Sequence, residues 1–297
     1  MSIPKRCMLS KEFVYRQARP VIGFDISERS FRGNFGMDVI DIILLYDEIR
    51  RATTLRRIRL PNLWTFRHLL QCLNFMKVMG RNWSAITGKW RVSWRTFRKR
   101  MYQTLVILDF VLEKINFGDR NDQWSIKDPS CILDTFTCPI QKPSRRAVQY
   151  RARPKFPFGL KYEVCSSIGN PKIVWLKGPF KGSAADMRIV SDSGLRETLS
   201  DAGEQAVADA GYVLPAGKEE DEIIRPISKK KFKLTEHDRL YNYFVYSGRS
   251  AVERLIRRIR VFDCLNQAWR LGVFLHGKIT NIIGRLVNWM LKSKPLG

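Results

Sequence analysis

A change in the hydrophobic pattern partway along the chain constrains the fold more than any other feature. Apolar residues recur at helical spacing over about 35–112, and strand-like runs are absent there. The stretch 121–129 is polar, and after it the apolar runs become short and are typical of strands. This order predicts an all-helical N-terminal domain over 1–126, followed by an α/β domain over 127–297.

The second half predicts a sheet with intervening helices. The turn Gly169-Asn170-Pro171 is typical of a hairpin, and Gly194 is expected to break a helix that starts at Asp186. Thr235 and Asp238 have the spacing of a helix cap, and a separate helix is expected from Ser250 to about Leu265, with a basic helix after it. The acidic segment 218–221 and the basic run 229–231 are expected to be solvated loops. The expected strands are 131–137, 161–168, 172–176 and 204–209.

The formal net charge of +25 is concentrated where acidic residues are absent, because no Asp or Glu occurs from Ile49 to Leu108. A phosphate backbone is the natural partner of such a stretch. A solvated basic surface or a membrane-facing patch is the alternative, but a surface without a partner usually mixes both signs. The distribution of charge therefore favours a nucleic acid as the partner.

Residues 82–100 have the spacing of a helix-turn-helix, with a break near Gly88 and a second helix capped by Ser93. We expect a helix-turn-helix-like segment over about 65–112 to bind DNA. An ordinary three-helix subdomain with a basic exterior is the alternative. The face of the second helix expected to pack consists of Trp94, Phe97, Met101 and Leu105. The cations expected to meet DNA are Arg91, Arg95, Arg98, Lys99 and Arg100.

Cysteine and histidine patterns give little support to a zinc site. The six cysteines form no C-x-x-C pair, and the three histidines lie far apart in the sequence. Buried reduced thiols are the expectation, which suits a reducing compartment. No apolar stretch approaches the roughly 20 residues needed to span a bilayer, so neither secretion nor membrane spanning is predicted.

Three carboxylates in this basic chain form the candidate site. Asp134 ends an apolar run, so a strand is expected to deliver it to a sheet edge, and Asp209 is expected where a strand ends in a tight turn. Glu253 lies at the margin of a helical stripe that is expected to face the core. Together they suit a divalent-metal site acting on nucleic acid phosphate. The residues of the helical stripe are Val252, Leu255, Ile256 and Ile259.

Each carboxylate also has an ordinary interpretation. Asp134 and Asp209 are compatible with turn caps, and Glu253 has the spacing of a surface pair with Arg257, which would contribute only about 0.3 to 0.5 kcal/mol. The residues that flank the three acids favour a metal site over these ordinary interpretations.

The residues that flank the three carboxylates form a series of short motifs along the chain. Asp134 is followed by Pro139-Ile140 and a further proline, and Gly182-Ser183 precedes the turn aspartate Asp186. Asp209 is followed by Ala-Gly-Tyr, while Asn242 and Arg249 precede Glu253 at fixed spacings. In these motifs the chain, from about residue 35 to 271, resembles the DDE transposases of the PIF/Harbinger type and their bacterial relatives.

The resemblance implies a ribonuclease-H-like fold and metal-dependent DNA cleavage and strand transfer at the ends of a transposon. It implies that Asp134, Asp209 and Glu253 are the catalytic residues and hold two Mg²⁺ or Mn²⁺ ions. It also implies transposon terminal repeats and target DNA as substrates, a homo-oligomer, a Myb-like DNA-binding helper protein and a location in the nucleus, with a bacterial cytoplasm as the alternative. Candidate contacts to the target strand are Arg249, Arg254 and Arg257, and the alternative is that these arginines only coat the helix.

Two alternatives stay open at this point. Ala185 replaces a histidine common in the family, and Leu255-Ile256 replaces an aromatic-Gly pair, which is compatible with a decayed or domesticated copy that binds DNA without cutting it. The other alternative is a basic RNA-associated structural protein in which the three acids are incidental.

Overall fold

The computed structural model describes residues 9–24, 27–78, 83–120, 129–152, 156–212, 222–227 and 234–296. The predicted loops 218–221 and 229–231 and most of the polar stretch 121–129 lie outside the described residues. The chain divides into two units. The first consists of Met1–Glu113 and Arg260–Gln267, and the second consists of Lys114–Ile259 and Ala268–Gly297.

The regular elements that the structure describes in the N-terminal part of the first unit are α-helices. The chain is already helical from Lys11, whereas the sequence pattern indicated helices only from about residue 35. Buried apolar residues line the inner faces of these helices, and the indole of Trp90 donates to Asn74 Oδ1 at 3.0 Å. The helices are α1 (Lys11–Ile22), α2 (Glu28–Phe35), α3 (Val39–Thr54), α4 (Phe66–Val78), α5 (Trp83–Trp90) and α6 (Trp94–Val111).

The turn between α5 and α6 lies later than the sequence predicted. α5 continues through Gly88, so the expected break there is wrong, and the chain turns at Arg91, whose φ of 51° is in the left-handed region. Ser93 caps α6 as predicted, because its Oγ accepts from the Thr96 amide at 3.2 Å. The predicted packing face is buried at Phe97, Met101 and Leu105.

A mixed sheet organises the second unit. Its order is β2-β3-β1-β5-β6, and β4 pairs with β3. β3 runs antiparallel to β1 and to β4, whereas β5 runs parallel to β1 and to β6. The prediction of a mixed α/β fold is confirmed. The strands are β1 (Pro129–Pro139), β2 (Arg151–Ala152), β3 (Phe156–Ser167), β4 (Ile173–Lys181), β5 (Gln205–Val207) and β6 (Ile223–Ile224).

The helices of the second unit are α7 (Asp186–Ser193), α8 (Leu195–Ala202), α9 (Glu236–Ile259) and α10 (Val273–Leu291). The four predicted strands, the hairpin between β3 and β4 and the break at Gly194 are confirmed, the glycine having a φ of 81°. The predicted cap is also confirmed, since Asp238 and Thr235 exchange hydrogen bonds of 2.9 and 3.1 Å. The expected separate helix from Ser250 to about Leu265 is wrong, because α9 is continuous and ends at Ile259.

The apolar core of the second unit lies against the sheet. One cluster joins β1, β3 and β4 to α7 and α8 through Leu133, Cys165, Val174, Val190 and Leu199. The cysteines among the described residues are buried as thiols, as predicted. Among the described residues, none of the helices is long and apolar enough to cross a membrane.

Candidate active site

Asp134 lies inside β1, where the pairing with β5 has already ended. The parallel ladder ends where Ile132 pairs with Val207, and β1 continues beyond it in the ladder with β3, with Asp134 opposite Val164. The predicted strand 131–137, which contains Asp134, is therefore confirmed, but this strand lies inside the sheet and not at its edge. What ends near it is β5, so one flank of β1 opens next to this carboxylate.

Asp209 follows β5 by two residues, as a strand-end turn predicts. Its backbone carbonyl accepts from the Tyr212 amide at 3.1 Å, and its Oδ1 accepts from Gly211 at 3.4 Å, so the chain turns away here. β5 is the parallel neighbour of β1, and parallel strands point the same way along a sheet. The topology therefore brings Asp209 to the flank of β1 that carries Asp134.

Glu253 is carried by α9, which packs against β1 and β3. The apolar stripe of this helix is buried at Val252, Leu255, Ile256 and Ile259, as its spacing predicted. The Glu253 side chain lies at the margin of that stripe and is 47% exposed.

Arg249 joins two of the three carboxylates. One guanidinium nitrogen is 3.0 Å from Asp209 Oδ2 and 3.6 Å from Glu253 Oε1. Glu253 therefore pairs with the arginine four residues before it, and no pair with Arg257, four residues after it, occurs in this described helix. The sequence proposed Arg249 only as a DNA contact, and its place between the acids was not predicted.

The electrostatics of Asp134 connect it to the same group. Burial is the main cause that raises its pKa from 3.8 to about 6, and the negative charges of Asp209 and Glu253 add to this effect. The Thr135 amide, which donates to Asp134 Oδ1 at 2.7 Å, and the charge of Arg249 act in the opposite direction. Asp209 and Glu253 thus lie close enough to Asp134 to oppose its ionisation.

The donor chemistry of this group fits a hard divalent cation, because carboxylate oxygens are the ligands that Mg²⁺ prefers. The ionisation of Asp134, opposed by its neighbours, would also be favoured by a bound cation. Within the described ranges, no group of three or more His, Cys, Asp or Glu side chains has the arrangement needed to hold an ion. The positive charge present between Asp209 and Glu253 is that of Arg249.

A second polar cluster adjoins Asp134 through the next residue of β1. Successive strand residues point to opposite faces, and Thr135 donates to Asp186 Oδ1 at 3.0 Å on the side of α7. Lys161 donates to the same oxygen at 3.0 Å and to the Ala184 carbonyl at 2.8 Å. This cluster ties the start of α7 to β1 and β3. The Gly-Ser-x-x-Asp turn was the sequence signal for Asp186, and nothing in the sequence indicated Thr135 or Lys161.

A buried carboxyl lies beside this second cluster. Glu163 is fully buried, and its Oε2 accepts from the indole of Trp175 at 2.7 Å. Burial is the main cause that raises its pKa. Glu163 is opposite Thr135 in the ladder, so the sheet face turned toward α7 carries its own acid.

The proposed DNA contacts belong to both units. On α6, Arg95, Arg98 and Lys99 are exposed, and Arg98 stands over the Tyr102 ring at 5.6 Å. Arg91 is exposed in the turn before α6, while Arg100 is partly buried, and burial followed by the charge of Arg67 lowers its pKa. In the second unit, Arg257 of α9 is exposed and Arg254 is partly buried.

The comparison with known families falls mostly within the second unit. A family model described as DDE superfamily endonuclease matches residues 133–288, which is just over half of the chain. Neither the curated proteins nor the solved structures gave a match. The matched residues contain Asp134, Asp186, Asp209, Arg249 and Glu253. By this match, the chain belongs to the DDE superfamily endonuclease family.

Proposed function

We propose that this protein is a divalent-metal-dependent DNA endonuclease of the PIF/Harbinger type, which cuts and joins DNA strands at the ends of a transposon. The observation that carries the proposal is the pairing of Asp209 and Glu253 with one guanidinium whose charge also acts on Asp134, within the residues matched by the family model. A metal site needs carboxylates from separate elements to lie close together. Carboxylates that only cap turns would have no reason to lie close together.

The sheet supports a ribonuclease-H-like fold for the second unit. β1 has antiparallel neighbours on one side, continuing through β3 to β4, and parallel neighbours on the other, through β5 to β6. The candidate acids come from the central strand, from the end of its parallel neighbour and from a helix, which is the placement that the resemblance implies.

The proposed mechanism assigns the chain's own residues to binding and orientation. Asp134, Asp209 and Glu253 would hold Mg²⁺ or Mn²⁺, which when bound activates the attacking hydroxyl and stabilises the leaving oxygen at phosphorus. Asp134 is mostly ionised above a pH of about 6 and is then able to act as a ligand. Thr135, Asp186 and Lys161 hold β1 in place from the opposite face.

Cations of both units would supply the phosphate contacts. The exposed arginines and lysine of α6 lie in a stretch without acidic residues, which suits a duplex backbone. Arg254 and Arg257 would contact phosphates of the DNA strand that lies nearest the three carboxylates. The homo-oligomer, the Myb-like helper and the nuclear location are predictions that depend on the resemblance alone.

A second candidate is a descendant that binds DNA and no longer cuts it. The specific observation that favours it is the pairing of Arg249 with two of the acids. If the arginine never left these carboxylates, no metal ion could bind them and the protein would not cut DNA. The departures at Ala185 and Leu255 agree with this alternative.

A nicking assay separates the two candidates. DNA bearing the element's own terminal repeats is incubated with the full chain in Mg²⁺, Mn²⁺ or EDTA, and strand breaks are counted on a denaturing gel. We expect metal-dependent cleavage that falls at least about 100-fold in Asp134→Asn and in Glu253→Gln, a loss typical of removing a group that stabilises transition-state charge. The matched control is Asp201→Asn, an exposed aspartate of α8.

Cleavage that persists in both variants would overturn the metal-site assignment. DNA binding without cleavage in any metal would favour the second candidate.

A further inference from the structure

Arg249 is a cation shared by carboxylates from two separate elements. Its guanidinium bridges Asp209, which follows β5, and Glu253, which lies one helical turn further along α9. It also stands over the Tyr246 ring at 5.9 Å, and its charge reaches Asp134. A single positive charge thus interacts with all three acids of the candidate site.

This position is specific and is not part of a general arginine coat. Arg249 is 25% exposed, less than Asp209 at 41% or Glu253 at 47%. Arg257 has the same helical spacing from Glu253 on the other side, but it is exposed and makes no ion pair with Glu253 in the described helix. The helix therefore offers two arginines at equal spacing, and the acids are paired with one of them.

The bridging arginine and a divalent cation would compete for the same oxygens. A guanidinium stays protonated at any physiological pH, so it leaves a carboxylate only by moving away. Two cations at one cluster would also repel each other, and a site that releases an arginine needs another anion to receive it. Phosphodiester oxygens suit this need, because a guanidinium binds phosphate through paired hydrogen bonds.

We propose that Arg249 is a resident counter-cation, which must release Asp209 and Glu253 before a divalent cation binds them, and that a DNA phosphate receives the released guanidinium. This inference rests on the proposed metal-dependent function. It adds that the metal and the DNA each assist the binding of the other, because coupling between two ligands is reciprocal. In the absence of DNA, Arg249 keeps the acids neutralised and lowers their affinity for metal.

The test measures metal affinity directly and does not depend on cleavage. Mn²⁺ is titrated into the full chain without DNA, and free Mn²⁺ is followed by electron paramagnetic resonance. In Arg249→Gln we expect Mn²⁺ to bind about tenfold more tightly than in the wild type, which corresponds to about 1.4 kcal/mol. Arg249→Met keeps an aliphatic stem against Tyr246 and is expected to give the same tightening.

The matched control is Arg257→Gln, which removes an equal charge from the same helix and is expected to change the Mn²⁺ dissociation constant less than about twofold, since an exposed charge is well screened. Asp134→Asn and Glu253→Gln report which part of the Mn²⁺ binding belongs to the carboxylates. Circular dichroism of each variant reports whether it is folded.

Three outcomes would count against the inference. If wild type binds Mn²⁺ through the carboxylates and both Arg249 variants bind it equally or more weakly, the counter-cation role is refuted while the proposed metal site stands. If no variant and no wild-type sample binds Mn²⁺, the proposed metal site fails together with the inference. If both Arg249 variants are unfolded, the arginine is structural and the inference is overturned.

Discussion

Replacement of Asp134 by asparagine is expected to stabilise the metal-free protein at neutral pH. The folded protein holds the proton of Asp134 more tightly than the unfolded chain does, because burial raises the pKa from 3.8 to about 6. Stability from this group is therefore present at low pH, and it is lost as the pH rises from about 4 to about 6. Asparagine carries no charge, so the variant avoids the loss.

The magnitude follows from the displacement of the pKa. At about 1.36 kcal/mol per pH unit, a rise from 3.8 to about 6 corresponds to about 3 kcal/mol. The side chain is partly exposed, and screening by solvent reduces this to about 2 kcal/mol. We therefore expect Asp134→Asn to gain about 2 kcal/mol relative to wild type between pH 4 and pH 7.5.

Urea unfolding in EDTA at four pH values between 4 and 7.5 measures this difference. Asp201→Asn, which removes an exposed aspartate of α8, is the control. Saturating Mn²⁺ should make wild type more stable than Asp134→Asn at pH 7.5, because the ionised Asp134 side chain then binds a cation and asparagine does not. If the free-energy difference between Asp134→Asn and wild type does not change from pH 4 to pH 7.5, the conclusion that burial raises the pKa of Asp134 is refuted.

Three further predictions concern DNA binding, a helix cap and a buried acid. Arg98→Gln should weaken duplex binding and reduce the salt dependence of log K by about one phosphate contact, measured by fluorescence anisotropy at several salt concentrations. Ser93→Ala should lower the free energy of unfolding by about 1 kcal/mol, because it removes the cap of α6. Trp175→Phe should lower it by about 1 to 3 kcal/mol, because Glu163 Oε2 loses its indole donor.

Each of these has a control within the chain. Arg29→Gln removes an exposed cation of α2, outside the acid-free stretch, and an equal loss of DNA affinity there would contradict a localised interface. Ser93→Asn keeps a capping oxygen and should retain most of the stability. If Trp175→Phe costs as much in a Glu163→Gln background as in wild type, the indole contributes through packing and not through the carboxyl.

Several local features of this fold could be predicted from the sequence. The cap at Ser93 depends on a side-chain oxygen that accepts from a nearby amide, and the turn at Gly169 and the break at Gly194 depend on the left-handed backbone that glycine tolerates. Strands β1, β3 and β4 were predictable because short apolar runs bounded by turn residues have few other structures available. Ser247 and Gly248 made α9 look like two helices, and its packing against the sheet overrides that local preference.

The arrangement of the candidate site was only partly predictable. The helical stripe beside Glu253 and the strand end before Asp209 placed these acids correctly along their elements. The predicted strand 131–137 placed Asp134 correctly inside β1. The open flank of β1 beside it was not predicted, because the length of the β5 ladder is set by tertiary pairing. The bridge through Arg249 joins residues forty positions apart, and the local spacing that marks this arginine does not indicate its pairing with Asp209.

The short segment 260–267 limits how the chain can be divided. It follows α9 directly but belongs to the first unit, where the Phe262 ring fills the space beside Gly36 that a side chain there would need, and Asp263 lies 3.5 Å from Lys77. The polypeptide therefore passes from one unit to the other at three places. A fragment that begins at residue 114 would keep the proposed catalytic acids but leave Phe262 without the partner against which it packs. Biochemical work on the endonuclease portion consequently calls for the whole chain, because a single cut releases neither unit intact.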